Sequence, residues 1–162
     1  MYRGGRASSA APGPGGNARE GRHMVQKRVL IVEDEANMRT VLQEVLERSG
    51  YVAAEAADGL EGLAKAESWH PHAVLLDIRM PDLDGYEVCR RLKANPATKP
   101  IPVIVVTAVV DSPVSRLAYE AGAAACVLKP FRMEALVTVI QTTIAGAERR
   151  AKSIAKREGN PA

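Results

Sequence analysis

Short continuous apolar runs, each cut off by a polar residue and followed by a helical pattern, constrain this chain more than any other feature. Val29-Leu30-Ile31-Val32 stops at Glu33-Asp34-Glu35, and Val41, Leu42, Val45 and Leu46 then follow at helical spacing until Ser49-Gly50. Residues 51–56 form a weaker strand pattern, and Asp58 stands where a cap would open a helix carrying Leu60, Leu63 and Ala64. Ala73-Val74-Leu75-Leu76 ends at Asp77, and Asp84-Gly85 opens a helix with Tyr86, Val88, Cys89 and Leu92. Val103-Ile104-Val105-Val106 ends at Thr107, and Ser112-Pro113 opens a helix that Gly122 closes. Residues 124–128 lead to Lys129-Pro130, and Met133, Leu136, Val137, Ile140 and Ile144 mark a last helix. Strands that are apolar throughout are buried on both faces, as in a parallel sheet covered by helices. Five strand–helix units joined by right-handed crossovers predict an α/β, doubly wound parallel sheet.

Composition bounds the remaining classes. The chain has 162 residues, enough for one self-sufficient core with chain to spare. Aromatics are 4%, too few for a base-stacking platform. Cys89 and Cys126 are its two cysteines, which excludes a disulfide framework and a four-cysteine zinc site and fits a reducing, cytoplasmic compartment. No apolar run approaches the ~20 residues of a membrane span.

The net charge of +3 hides its distribution. Residues 1–23 carry Arg3, Arg6, Arg19 and Arg22 against Glu20, and residues 145–162 carry Arg149, Arg150, Lys152, Lys156 and Arg157 against Glu148 and Glu158. Each end is therefore +3, which leaves −3 for residues 24–144. The Gly/Pro/Arg-rich segment 1–23 has the composition of a disordered leader, with no apolar stretch for a secretory signal. Met24 is a possible alternative start. The division expected is leader 1–23, folded domain 24–146, and basic helical extension and tail 147–162.

In open α/β sheets, function collects at the carboxyl ends of the strands. Those ends carry Glu33 and Asp34, Asp77, Thr107 and Lys129. Alone, each fits a turn or a cap. Jointly, three carboxylates, a hydroxyl and an ammonium converge on one crevice. Clustered carboxylates repel unless a cation joins them, and hard oxygen ligands at an open surface suit Mg²⁺.

At these residues the chain resembles the receiver domain of two-component response regulators. The motifs are Val32-Glu33-Asp34-Glu35, Leu76-Asp77-Ile78-Arg79-Met80-Pro81, Asp84-Gly85, Thr107-Ala108, Gly122-Ala123 and Lys129-Pro130-Phe131. The resemblance implies a flavodoxin-like (βα)5 sheet of order 2-1-3-4-5. It implies that Asp77 accepts a phosphoryl group from a histidine kinase or phosphotransfer protein. Asp34, Asp77 and the Arg79 carbonyl would bind Mg²⁺ directly, Glu33 through water, while Lys129 and Thr107 contact phosphoryl oxygens. It also implies a cis Lys129–Pro130 bond, and it places Val109 and Arg79 where hydrolysis is tuned, the apolar Val109 slowing water attack.

One position departs from the family. Three residues before the lysine, where the family carries an aromatic switch, stands Cys126. Cysteine cannot swing as a ring does, which bears on the switch and not on phosphoryl acceptance.

With only a short tail after residue 146, the chain reads as a single-domain response regulator without a DNA-binding domain or membrane contact. It would signal to a downstream protein target or relay phosphoryl groups, with a possible homodimer through the helix 4–strand 5–helix 5 face. It is not expected to be an enzyme beyond its own phosphorylation and dephosphorylation. Two other classes are weighed. A flavin or nucleotide binder needs a phosphate cradle after strand one, where Glu33-Asp34-Glu35 would repel phosphate. A phosphorylation-independent interaction module would not need the five site residues. His70 and His72 read as loop residues, with metal ligation the alternative, Cys89 as core, Trp69 as cover for the core edge, and 148–157 as a solvated helix end, with a partner or nucleic-acid contact the alternative.

Overall fold

A computed structural model describes residues 25–108 and 112–159. The expected leader 1–23, the alternative start Met24, and Val109 lie outside the described residues. The elements are β1 Arg28–Val32, α1 Ala36–Arg48, β2 Val52–Ala56, α2 Gly59–Trp69, β3 Ala73–Asp77, α3 Gly85–Ala94, β4 Val103–Thr107, α4 Ser112–Glu120, β5 Ala125–Leu128 and α5 Met133–Glu158. All strand pairs are parallel, in the order β2-β1-β3-β4-β5. This is the flavodoxin-like arrangement that the alternation and the resemblance lead to.

The continuous apolar strands serve two cores because successive side chains point to opposite faces. Leu30, Val32, Val74, Leu76, Val103 and Val105 pack toward α2, α3 and α4. Val29, Ile31, Leu75, Ile104 and Val106 pack toward Leu42 and Leu46 of α1 and Leu136, Ile140 and Ile144 of α5. Each fully buried aliphatic side chain contributes about 1.5–3 kcal/mol relative to exposure.

Helices α2 and α3 begin where the capping residues stand. The Asp58 carboxylate accepts from the Glu61 N–H at 2.8 Å, and Asp84 accepts from the Glu87 N–H at 2.9 Å. Of the residues expected on the buried face of α2, Leu63 packs against the core, whereas Leu60 and Ala64 are exposed. Leu60 is 62% exposed, and the buried residues of the helix are Gly59, Gly62 and Ala66, with Gly59 against Val88 of α3 and Gly62 against Val32 of β1. A Cβ at Gly62 would lie 2.8 Å from Val32, so α2 sits too close to β1 for any side chain there.

The two histidines have structural roles. His70 caps α2 with φ of 49°, and His72 Nδ1 accepts from the Arg28 N–H at 2.9 Å. Trp69 packs on the core edge with the Arg28 guanidinium 5.7 Å from its ring centroid. Cys89 is fully buried.

Helix α5 runs unbroken for 26 residues, through the expected boundary at 146. Its first three turns cover the sheet, and residues 149–158 stand exposed beyond it. Lys27 pairs with Glu148 where the helix leaves the domain. Among the described residues no helix is long and apolar enough to cross a membrane.

Candidate functional site

Register places the chemistry at one sheet edge. Val32 pairs with Leu76, Asp77 with Val106, and Thr107 with Leu128, so the strands end level and their next residues meet. Glu33 follows β1 and is 3% exposed; Asp77 closes β3 at 8%; Thr107 closes β4 and is fully buried. Lys129 follows β5, and its N–H donates to the Thr107 carbonyl at 2.7 Å. The Lys129–Pro130 bond is cis.

Lys129 bridges the acidic cluster. Its Nζ lies 3.1 Å from Glu33 Oε2 and 3.4 Å from Asp77 Oδ2. Glu33, Asp34 and Asp77 each bring a carboxylate oxygen within 4.8 Å of the others. Asp34 is exposed at the rim. Arg79 also stands there, its side chain exposed and its N–H donating to Asp77 Oδ1 at 3.1 Å. All the residues singled out at the strand ends are thus brought together.

One ammonium does not neutralise this cluster. Burial, then the Asp77 charge, raises the Glu33 carboxyl to about 7. Burial works against the charge on Lys129, but the Asp77 and Glu33 carboxylates outweigh it and hold the ammonium above its ordinary range. The site therefore has an excess of negative charge over an open rim, which a divalent cation with oxygen preference would relieve. The donor set fits Mg²⁺.

Three contributors escape sequence reading. Arg39 of α1 donates to the carbonyls of Glu33 at 2.8 Å and Asp34 at 3.0 Å, fixing the acidic loop. Gly85 lies against the Asp77 backbone: a Cβ there would be 2.4 Å from the Asp77 carbonyl oxygen. The Asp84-Gly85 motif marks the place, but only the fold shows what the glycine touches. Tyr86 of α3 packs on the same core face as Cys126, its hydroxyl 3.5 Å from the Val114 carbonyl. Cys126 is half-buried, and the Ser115 hydroxyl approaches its Sγ at 3.9 Å.

Residues 29–141 match the family described as "Response regulator receiver domain". The chain belongs to this family. The receiver is 37% identical over 136 residues to the "Probable transcriptional regulator ycf27" of Cyanophora paradoxa, covering 84% of this chain and 51% of that protein. It is 40% identical over 107 residues to the "Alkaline phosphatase synthesis transcriptional regulatory protein PhoP" of Bacillus subtilis, covering 66% and 44%. It is 32% identical over 120 residues to the "DNA-binding response regulator MtrA" of Mycobacterium tuberculosis, covering 74% and 51%. Among solved structures, the CheY-like receiver domain protein of Methanospirillum hungatei superposes with a TM-score of 0.73 at 30% identity, covering 77% of this chain and 98% of that one. The receiver domain of a sensor histidine kinase from Pseudomonas aeruginosa superposes with a TM-score of 0.69 at 31% identity, covering 74% and 98%. That structure has a magnesium ion coordinated in its active-site cleft.

The receiver spans about half the length of the curated relatives it matches. This corrects one expectation. The short tail suggests a regulator without a DNA-binding domain, yet these relatives are transcriptional and DNA-binding regulators. The physical reason is that a receiver closes its own two cores. Its residues read the same whether or not an output domain is attached, so the length of this chain carries no information about output.

Proposed function

We propose that this receiver is a phosphoacceptor in which Asp77 takes a phosphoryl group from a histidine kinase or phosphotransfer protein. The observation that carries this reading is the Glu33–Lys129–Asp77 cluster at the level strand ends, with Asp34 beside it. Glu33, Asp34, Asp77 and the Arg79 carbonyl would hold Mg²⁺, with Glu33 acting through water. When bound, the ion supplies positive charge against which phosphoryl oxygens can approach the carboxylates.

The residues divide the work. An Asp77 carboxylate oxygen forms the new P–O bond as the P–N bond of the donor phosphohistidine breaks. The electron pair leaves with the imidazole, which is protonated from solvent. Lys129 exchanges its carboxylate contacts for a phosphoryl oxygen, and Thr107 donates its hydroxyl to another. Such a transfer needs positioning and charge stabilisation rather than a general base. Gly85, lacking a Cβ, lets α3 start directly against the Asp77 backbone, and its N–H donates to the Ile78 carbonyl. The chain acts on its own phosphorylation state and on no separate substrate.

Phosphorylation replaces one negative charge with about two and adds strong acceptors. The changed surface would be read by another protein domain, and the relatives support a DNA-binding output in the whole protein.

The test is incubation with acetyl phosphate and Mg²⁺, followed by intact-mass measurement. The wild type is expected to gain the mass of one phosphoryl group, labile to hydroxylamine, and Asp77→Asn to gain none. An unmodified wild type, or an equally modified Asp77→Asn, overturns the reading. The first result would favour the phosphorylation-independent interaction module.

A further inference from the structure

The exposed end of α5 is outside the segment that matches the receiver family and outside the phosphoryl-transfer site. Its side chains are sorted by face. Ala147, Ala151 and Ile154 line the hollow beneath the sheet with Pro100 and Pro102, and the fifth cation of this stretch, Arg150, lines it too. Arg149, Lys152, Lys156 and Arg157 follow at i, i+3, i+7 and i+8, which places them on one helical face. All four are exposed, and none is in an ion pair among the described residues. Two carboxylates occur on this part of the helix. Glu148, which lies near Lys152, is bound to Lys27, and Glu158 lines the hollow on the other side. The outer face is thus a strip of four cations about 12 Å long, at 1.5 Å of rise per residue.

We propose that this strip is a contact surface for the phosphate backbone of duplex DNA. Backbone binding requires cations in a row and no apolar anchor, because the favourable term is release of condensed counterions. The strip meets that requirement. A membrane-lying helix would need large apolar residues on its other face, and this one has alanines and Ile154. A protein partner would be expected to find an aromatic or aliphatic anchor, and the strip has none. The charge of the molecule also orients it. The acidic strand-end site is at the opposite end of the sheet from the overhang, so a polyanion would meet the basic end first. The choice of DNA leans on the DNA-binding output read from the relatives; it does not depend on phosphoryl transfer.

The experiment uses the 162-residue chain and a fluorescent mixed-sequence duplex about two helical turns long, with anisotropy followed across a salt series. Three to four phosphate contacts predict a slope of log affinity against log salt of about −3, or about a 30-fold loss between roughly 50 and 150 mM. The variant R149Q/K152Q/K156Q/R157Q is expected to lose at least about tenfold in affinity at the lower salt and to flatten the slope. Glutamine keeps helix propensity, and an unchanged thermal midpoint and phosphoryl uptake would show that the fold is retained. The milder K152Q/K156Q variant is expected to lower the slope by about half. Arg3, Arg6, Arg19 and Arg22 provide the comparison: R3Q/R6Q/R19Q/R22Q is expected to bind as the wild type does. The proposal is overturned if the wild type does not bind, if the α5 variants bind with an unaltered slope, or if only the Arg3–Arg22 set abolishes binding. It is also overturned if the wild type binds phosphatidylserine vesicles and not the duplex. None of these outcomes depends on Asp77, whose substitution is expected to leave DNA binding unchanged.

Discussion

Two lysine–glutamate pairs sit at opposite ends of this receiver, and they are chemically alike but physically different. Lys129 and Glu33 meet at the strand-end site with side chains 18% and 4% exposed. Lys27 and Glu148 meet under the departing end of α5 with side chains 38% and 44% exposed. The buried pair shares its space with Asp77, and Glu33 is driven toward its protonated form. At the exposed pair the Lys27 ammonium dominates and lowers the Glu148 carboxyl. The same two residue types thus hold charge under tension in one place and quietly neutralise it in the other. Water decides which, through the cost of removing it.

The sharpest way to break the comparison is to disturb the backbone beneath the buried cluster. Gly85→Val forces atoms into the Asp77 carbonyl and is expected to cost about 3 kcal/mol or more, with loss of phosphoryl uptake. Urea unfolding and intact mass after acetyl phosphate treatment would show both. Next, Lys129→Met leaves Glu33 and Asp77 facing each other without a cation. About 2 kcal/mol should be lost near pH 8, and much less near pH 5, where Glu33 carries a proton. Chemical denaturation at the two pH values measures the difference.

The pH dependence of the wild type sharpens the contrast because the two glutamates have opposite signs. In the folded, metal-free protein the Glu33 carboxyl holds its proton up to about pH 7, whereas the unfolded chain releases it near 4.5. Between these values the folded state binds more protons, so the Glu33 contribution to stability falls as pH rises. Glu148, lowered on folding, contributes above its unfolded value, and that contribution is lost as pH falls through its folded one. Thermal midpoints from pH 5 to 8 should decline in the wild type and recover at pH 8 on adding Mg²⁺; in Glu33→Gln the decline should vanish, leaving the small rise that His72, held below its ordinary range by burial, contributes as pH increases. A decline that persists in Glu33→Gln would assign the dependence elsewhere. The smallest effect belongs to the exposed pair. Glu148→Gln is expected to change stability by less than about 1 kcal/mol, and by still less at high salt.

The strand ends were legible because each buried strand must stop where its first polar residue appears. Glu33, Asp77, Thr107 and Lys129 are those residues, and parallel register brings them level without further information. Asp58 and Asp84 were legible as caps because capping is local. The remainder depends on contacts between segments remote in sequence. The glycine face of α2 defeats a search for apolar spacing, since close approach to Val32 replaces side-chain burial. Arg39 looks like any surface arginine of a helix until the β1–α1 loop turns its carbonyls toward it. Tyr86 belongs to an ordinary helical pattern, and nothing local says that it shares a core face with Cys126. The output is illegible for a different reason: absence from a stretch of chain is not absence from the molecule.

Helix α5 joins the two ends of this comparison, and its continuity makes it a lever. It starts just past the Lys129–Pro130 turn and runs for 26 residues without a proline or an observed break. At 1.5 Å per residue its length is about 39 Å, so a tilt of about 5° at the site end would carry the far end by about 3 Å. Displacements too small to matter beside the carboxylates would be amplified at Arg157 into a change of position comparable to the separation of hydrogen-bonded atoms.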